Sequence, residues 1–143
     1  ALVKESGFPN MKVLQFAFDA REPSCYLPHT YERRCVCYTG THDNTTAAAF
    51  FSEAAPDDVA FAVEYLALTH AEGYVTGLLR GGSSSVADLF VAQMQDWLGL
   101  GADARTNVPG TLGGRNWQWR MLEGAADDTL GARIAEMTRR YGR

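Results

Sequence analysis

The run with the clearest chemical potential is Thr41-His42-Asp43-Asn44, directly after the apolar segment Cys35-Val-Cys-Tyr38. In parallel α/β proteins the carboxyl ends of strands carry the functional side chains, and stability alone hardly accounts for a four-residue polar run there. A turn gives a second account, in which Asp43 and Asn44 cap the next helix and His42 bonds to backbone. Spacing alone supports both. Metal ligation needs partners, and His29 and His70 stand at no ligand spacing from His42 or from each other.

Other chemical motifs are weaker. Gly81-Gly82-Ser83 and Gly99-Leu-Gly101 complete neither phosphate-loop pattern, and no G-x-S-x-G marks a nucleophile. Cys35 and Cys37 lie inside an apolar run and suit buried small hydrophobes better than reactive thiols. Asn116-Trp-Gln-Trp-Arg120 puts two indoles on one side if extended. These are either platforms that stack on sugar faces or bases, or core anchors for a loop.

The elements that must hold these residues follow from patterning. Met11 to Phe18 and Cys35 to Tyr38 predict strands buried on both faces. Pro56-Asp57-Asp58 predicts a helix start, continued by Val59, Ala62, Val63 and Leu66 at helical spacing. Tyr74 to Arg80 predicts a short helix stopped by Gly81-Gly82. Ser85-Val-Ala-Asp88 predicts one helical turn before a third strand from Leu89 to Gln93. Asp127 and Asp128 predict a final helix closed by Arg139, Arg140 and Arg143, and residues 1–6 predict a helix tail ended by Gly7. Strands alternating with helices predict a parallel α/β sheet, and three strands are few for a complete domain of that kind.

Composition narrows the class. The 143 residues are 46% hydrophobic and 21% charged, which argues against wholesale disorder. A net charge of −4 argues against a nucleic-acid or anionic-membrane surface. No apolar run spans a bilayer, and no leader pattern is visible at Ala1. Three cysteines, two of them one residue apart, fit a reducing compartment, so the expectation is cytoplasmic.

Taken in order, several segments resemble the C-terminal part of the 4-α-glucanotransferases, the amylomaltase or disproportionating-enzyme family. They are Gly7-Phe-Pro-Asn-Met-Lys-Val-Leu-Gln-Phe-Ala-Phe-Asp19, Tyr26-Leu-Pro-His29 and Tyr38-Thr-Gly-Thr-His-Asp-Asn44. Gln95-Asp-Trp-Leu-Gly-Leu-Gly101, Ala104-Arg-Thr-Asn-Val-Pro-Gly-Thr111 and Asn116-Trp-Gln-Trp-Arg120 continue the series. The resemblance implies that residues 1–143 are a partial (β/α)8 barrel, its last three strands with their helices. It implies transfer of α-1,4-glucan segments by a retaining double displacement, with no metal or organic cofactor and a maltooligosaccharide as partner.

By that resemblance Asp43 is the carboxylate that stabilises the transition state, and His42 bonds the same sugar. Asp19, Asn107 and Asn44 are expected to face the sugar cleft. The nucleophile and acid/base belong to strands before Ala1, so the isolated piece is expected to be inactive. Three positions depart from the family pattern: Thr45 replaces an Asp, and Ala49-Phe50 replace Gly-Trp. A non-catalytic glucan-binding piece and an α-glucan hydrolase of the same barrel type are the rival expectations.

Overall fold

The computed structural model describes residues 5–143. Its centre is a three-stranded parallel sheet of β1 (Asn10–Val13), β2 (Cys35–Tyr38) and β3 (Leu89–Val91), in that spatial order. The register pairs Met11 with Val36 and Val13 with Tyr38, then Val36 with Leu89 and Tyr38 with Val91. Between β2 and β3 run α1 (Ala47–Glu53), α2 (Pro56–Leu66) and α3 (Tyr74–Ser83). A single turn, α4 (Met94–Trp97), follows β3, and α5 (Asp128–Arg140) closes the chain.

Because side chains alternate across a strand, the register defines two faces. One carries Cys35, Cys37 and Phe90. Both cysteines are buried, in a core with Ala62, Leu66, Leu78 and the Phe18 ring. The other carries Met11, Val13, Val36, Tyr38, Leu89 and Val91; Val13 is fully buried, but no helix among the described residues covers Met11 and Leu89, each 53% exposed. The expected burial on both faces is therefore met at the helical face and, on the other, at Val13. The open face is apolar, as the inner wall of a larger sheet would be.

Local differences from the patterning have local causes. The run from Met11 to Phe18 is a strand only to Val13. Leu14–Phe16 then turn as a 3-10 helix, with the Gln15 amide donating to the Thr39 carbonyl (3.3 Å). α1 has no counterpart among the expected elements; Thr46 caps it by accepting from the Ala49 amide. α3 continues through Gly81-Gly82 to Ser83. Those glycines are packing positions, since a Cβ on Gly82 would lie 2.1 Å from the Phe90 ring and one on Gly81 would lie 2.8 Å from Leu66. Ser85 to Asp88 form no helical turn, because the preceding helix already ends at Ser83.

Asp127 does open the last helix, accepting from the Leu130 amide. Arg143 does not close it. The guanidinium donates instead to the carbonyls of Ser83, Ser85 and Ala87, tying the chain end to the loop that enters β3. Glu5 and Ser6 are helical and Gly7 follows at φ +71°, while the rest of the expected helix tail lies outside the described residues.

Candidate active site

The loop leaving β2, the middle strand, is held from both neighbouring strands. Thr39 is fully buried; its amide donates to the Val91 carbonyl (3.2 Å) and its hydroxyl to Asp96 Oδ2 (2.5 Å). Asp96, on α4 and 1% exposed, accepts the Ala47 amide at its other oxygen (2.7 Å). One carboxylate thus joins the end of β2, the first turn of α1 and the segment after β3. Burial pushes its pKa up, against the two donors that favour the charge.

Two amide side chains complete the frame. Gln15, following β1, donates to the Thr45 carbonyl (2.9 Å), and Gln93, following β3, donates to the Thr41 carbonyl (2.9 Å). Gly40 lies between them: a Cβ there would sit 2.8 Å from Gln15 Nε2 and 3.2 Å from Gln93 Nε2. Asn44 Oδ1 accepts from the amide and hydroxyl of Thr41, both at 2.9 Å, which shapes the turn.

The turn projects His42 and Asp43. Asn107 Nδ2 donates to Asp43 Oδ1 (2.6 Å), and the Asn107 amide donates to the His42 carbonyl (3.1 Å). Arg105 donates to the Asp43 carbonyl (2.6 Å) and to the Asn107 carbonyl (2.8 Å), fixing both backbones at once. His42 Nε2 stands 3.4 Å from Asp43 Oδ2, an ion pair once the imidazole is protonated. The two side chains stay 55% and 46% exposed. The Asp43 backbone is fixed while its carboxylate faces solvent, which is the arrangement a ligand hydroxyl needs.

This geometry removes the capping account of the His-Asp-Asn run. Thr46 and Asp96, not Asp43 or Asn44, serve the amides of α1, and the His42 ring meets Asp43 rather than backbone. Of the expected site residues, His42, Asp43 and Asn107 are brought into direct contact, and Asn44 is the turn that carries them. Asp19 is elsewhere. It follows the 3-10 turn rather than ending β1, and Arg21 binds both its oxygens (2.8 and 2.7 Å). That hydrogen-bonded guanidinium pulls its pKa down to about 2. Asp19 lines an open hollow of about 530 Å³ with Asp57, Phe61 and Glu64 of α2, and no hydrogen bond or ion pair joins it to the His42–Asp43 group.

Residue types alone did not single out Gln15, Gln93, Asp96 and Arg105. The available signal was polarity out of place: Gln15 interrupts an apolar run, and Gln93 to Asp96 put two amides and an acid directly after a strand. The Asn116–Arg120 segment is not extended. Trp117 turns it at φ +62°, so the two indoles part. Trp119 joins Leu98, Leu100 and Ala104 around a hollow, whereas the Trp117 ring lies 5.0 Å from the His42 ring.

Comparison with known proteins shows the family. The family model described as 4-alpha-glucanotransferase matches residues 1–125. The chain belongs to the 4-alpha-glucanotransferase family. It is 47% identical over 141 residues to a 4-alpha-glucanotransferase of Clostridium butyricum, covering 98% of this chain and 29% of that one. A chloroplastic/amyloplastic 4-alpha-glucanotransferase of Solanum tuberosum is 39% identical, over 99% of this chain and 25% of that one. Among solved structures, the amylomaltase of Streptococcus agalactiae in complex with acarbose superimposes with a TM-score of 0.93 at 35% identity, over 99% of this chain and 29% of that one. The chain thus spans between 24% and 29% of the curated relatives' length. No helix among the described residues is long and apolar enough to cross a membrane.

Proposed function

We propose that this chain is the segment of a 4-α-glucanotransferase that supplies the transition-state-stabilising carboxylate, Asp43, to an active site completed by the rest of the full-length protein. In this reading β1 to β3 are the last three strands of a (β/α)8 barrel. The open apolar face of Met11, Leu89 and Val91 is then part of the barrel interior. The observation that carries the reading is the Asp43 carboxylate, half exposed at the carboxyl end of the middle strand and anchored through Asn107 and Arg105.

The reaction is a double displacement. A carboxylate outside this chain attacks the anomeric carbon as the glycosidic C–O bond breaks, and a carboxylic acid, also outside it, gives its proton to the leaving oxygen. An acceptor sugar hydroxyl then attacks the anomeric carbon, passes its proton to that same acid group and frees the nucleophile. Between these states the sugar passes through an oxocarbenium-like transition state. Asp43 accepts ring hydroxyls of that sugar and places negative charge beside the developing positive charge, with Asn107 already fixing one oxygen. His42 adds a donor to the same sugar, and Asn44 acts through the turn. Asp19 contacts the glucan farther along the cleft, at the α2 side. We place the enzyme in the cytoplasm, a reducing compartment that its free Cys25, Cys35 and Cys37 tolerate.

The test uses the full-length protein and maltotriose. Longer maltooligosaccharides are expected, and Asp43→Asn should reduce turnover by about 10²-fold or more, the scale for losing a preorganised electrostatic group. Glucose and maltose as sole products would assign a hydrolase. Binding without turnover would assign a non-catalytic glucan-binding protein, and near-normal turnover in Asp43→Asn would remove the role given to that residue.

A further inference from the structure

Trp117 has an uncommon backbone conformation. Its φ of +62° lies in the left-handed region, which a bulky β-substituted residue enters only at a cost, and such costs collect at ligand sites. The surrounding hydrogen bonds force it there. The Trp117 amide donates to the Thr106 carbonyl (2.7 Å), while the Thr106 hydroxyl accepts from buried Gln95 (3.1 Å). The preceding residue, Asn116, accepts from the Val108 amide (3.0 Å) and donates to the Thr111 hydroxyl (2.8 Å). A framework this closed holds the backbone at Trp117 in one place.

That place is not the core. Trp117 is 58% exposed, and the aromatic neighbour of its ring is the His42 imidazole, 5.0 Å away at a tilt of 39°. His42 in turn faces Asp43. An apolar plate, an imidazole and a half-exposed carboxylate therefore form one continuous surface. A pyranose ring has matching chemistry, with C–H groups on its faces for an aromatic plate and hydroxyls on its rim for carboxylate and imidazole. A purely apolar partner would leave His42 and Asp43 desolvated and unpaired, at a cost.

We propose that Trp117 is a sugar-stacking platform that binds a pyranose ring of the glucan held at His42 and Asp43, and so helps to set affinity for maltooligosaccharides. The inference rests on the glucanotransferase reading and names a contact of that same site. The test compares wild type, Trp117→Phe and Trp117→Gly in the full-length protein, measuring acarbose binding by calorimetry, maltotriose kinetics and thermal unfolding. Trp117→Gly suits the left-handed backbone, so its melting temperature should equal or exceed that of wild type. Its acarbose affinity should fall about tenfold, the upper end for one lost aromatic contact, with a matching rise in KM. Trp117→Phe should recover most of that loss.

Wild-type affinity in Trp117→Gly would overturn the platform. So would a lower melting temperature with unchanged KM, which marks a structural anchor. A fall in kcat alone, non-additive with His42→Ala, would also overturn it by assigning Trp117 to holding the imidazole. Failure of wild type to bind acarbose or rearrange maltotriose would sink the glucanotransferase reading itself, which separates the two failures.

Discussion

Asp96 offers the sharpest test of how the site is held. Asp96→Leu keeps the γ-branched shape, with bulkier methyl groups, but removes both acceptors, leaving the Thr39 hydroxyl and the Ala47 amide buried without partners. Hydrogen bonds to a charged group contribute about 1.5–3 kcal/mol each, so the gross loss is about 3–6 kcal/mol. Relief of carboxylate desolvation offsets part of this, leaving about 2–4 kcal/mol. Asp96→Asn should cost only about 1 kcal/mol, because the amide oxygen can keep the Ala47 amide while Thr39 turns its hydroxyl to accept from the new NH2.

The assay is hydrogen exchange by mass spectrometry on peptides covering residues 39–50 of the full-length protein, alongside urea unfolding. Loss of protection in Asp96→Leu but not in Asp96→Asn is expected. The pH dependence adds a sign. Burial raises the folded-state pKa of Asp96, so the folded form binds its proton more tightly than the unfolded chain does. Its contribution is fully present below the unfolded pKa of about 3.9 and is lost as pH rises from there through the folded value. Wild type should therefore gain stability relative to Asp96→Asn as pH falls toward 4. Unchanged protection in Asp96→Leu, or a wild-type advantage that grows with pH, would refute the reasoning.

Three further outcomes follow from the packing and the site. Gly82→Ala should destabilise by about 1–3 kcal/mol in chemical unfolding, since its Cβ would overlap the Phe90 ring, whereas Gly131→Ala on exposed α5 meets no neighbour and should stabilise slightly. Arg105→Lys should lower kcat about tenfold or more with little change in unfolding midpoint, because an ammonium cannot span the Asp43 and Asn107 carbonyls as the guanidinium does. Cys35 and Cys37 should resist iodoacetamide in the native protein at pH 8 and react only on unfolding, read by peptide mapping. Burial raises both thiols, Cys37 up to about 11, so their stabilising effect is held below pH 9 and lost as pH climbs from there toward 11.

The sequence by itself determined the elements whose signals are local. Pro56-Asp57-Asp58 announced α2, Asp127 announced α5, and the parallel sheet followed from apolar runs separated by helical spacing. The His42–Asp43 pair was legible because polar residues directly after a buried strand are costly unless they serve a ligand or a turn. Residue types could not choose between those two. Only the tertiary structure removed helix capping by Asp43 and Asn44, because that depended on what Thr46, Asp96, Arg105 and Asn107 do, and the last three lie 49 or more residues along the chain from the groups they bond. The same reason explains Gly81-Gly82. A glycine pair ends a helix in isolation, yet here it lets α3 approach Leu66 and Phe90, and nothing local records that approach. The surroundings of Asp19 and Trp117 were hidden for a related cause: Arg21 binds both oxygens of the first, and a turn of backbone at φ +62° brings the second to His42.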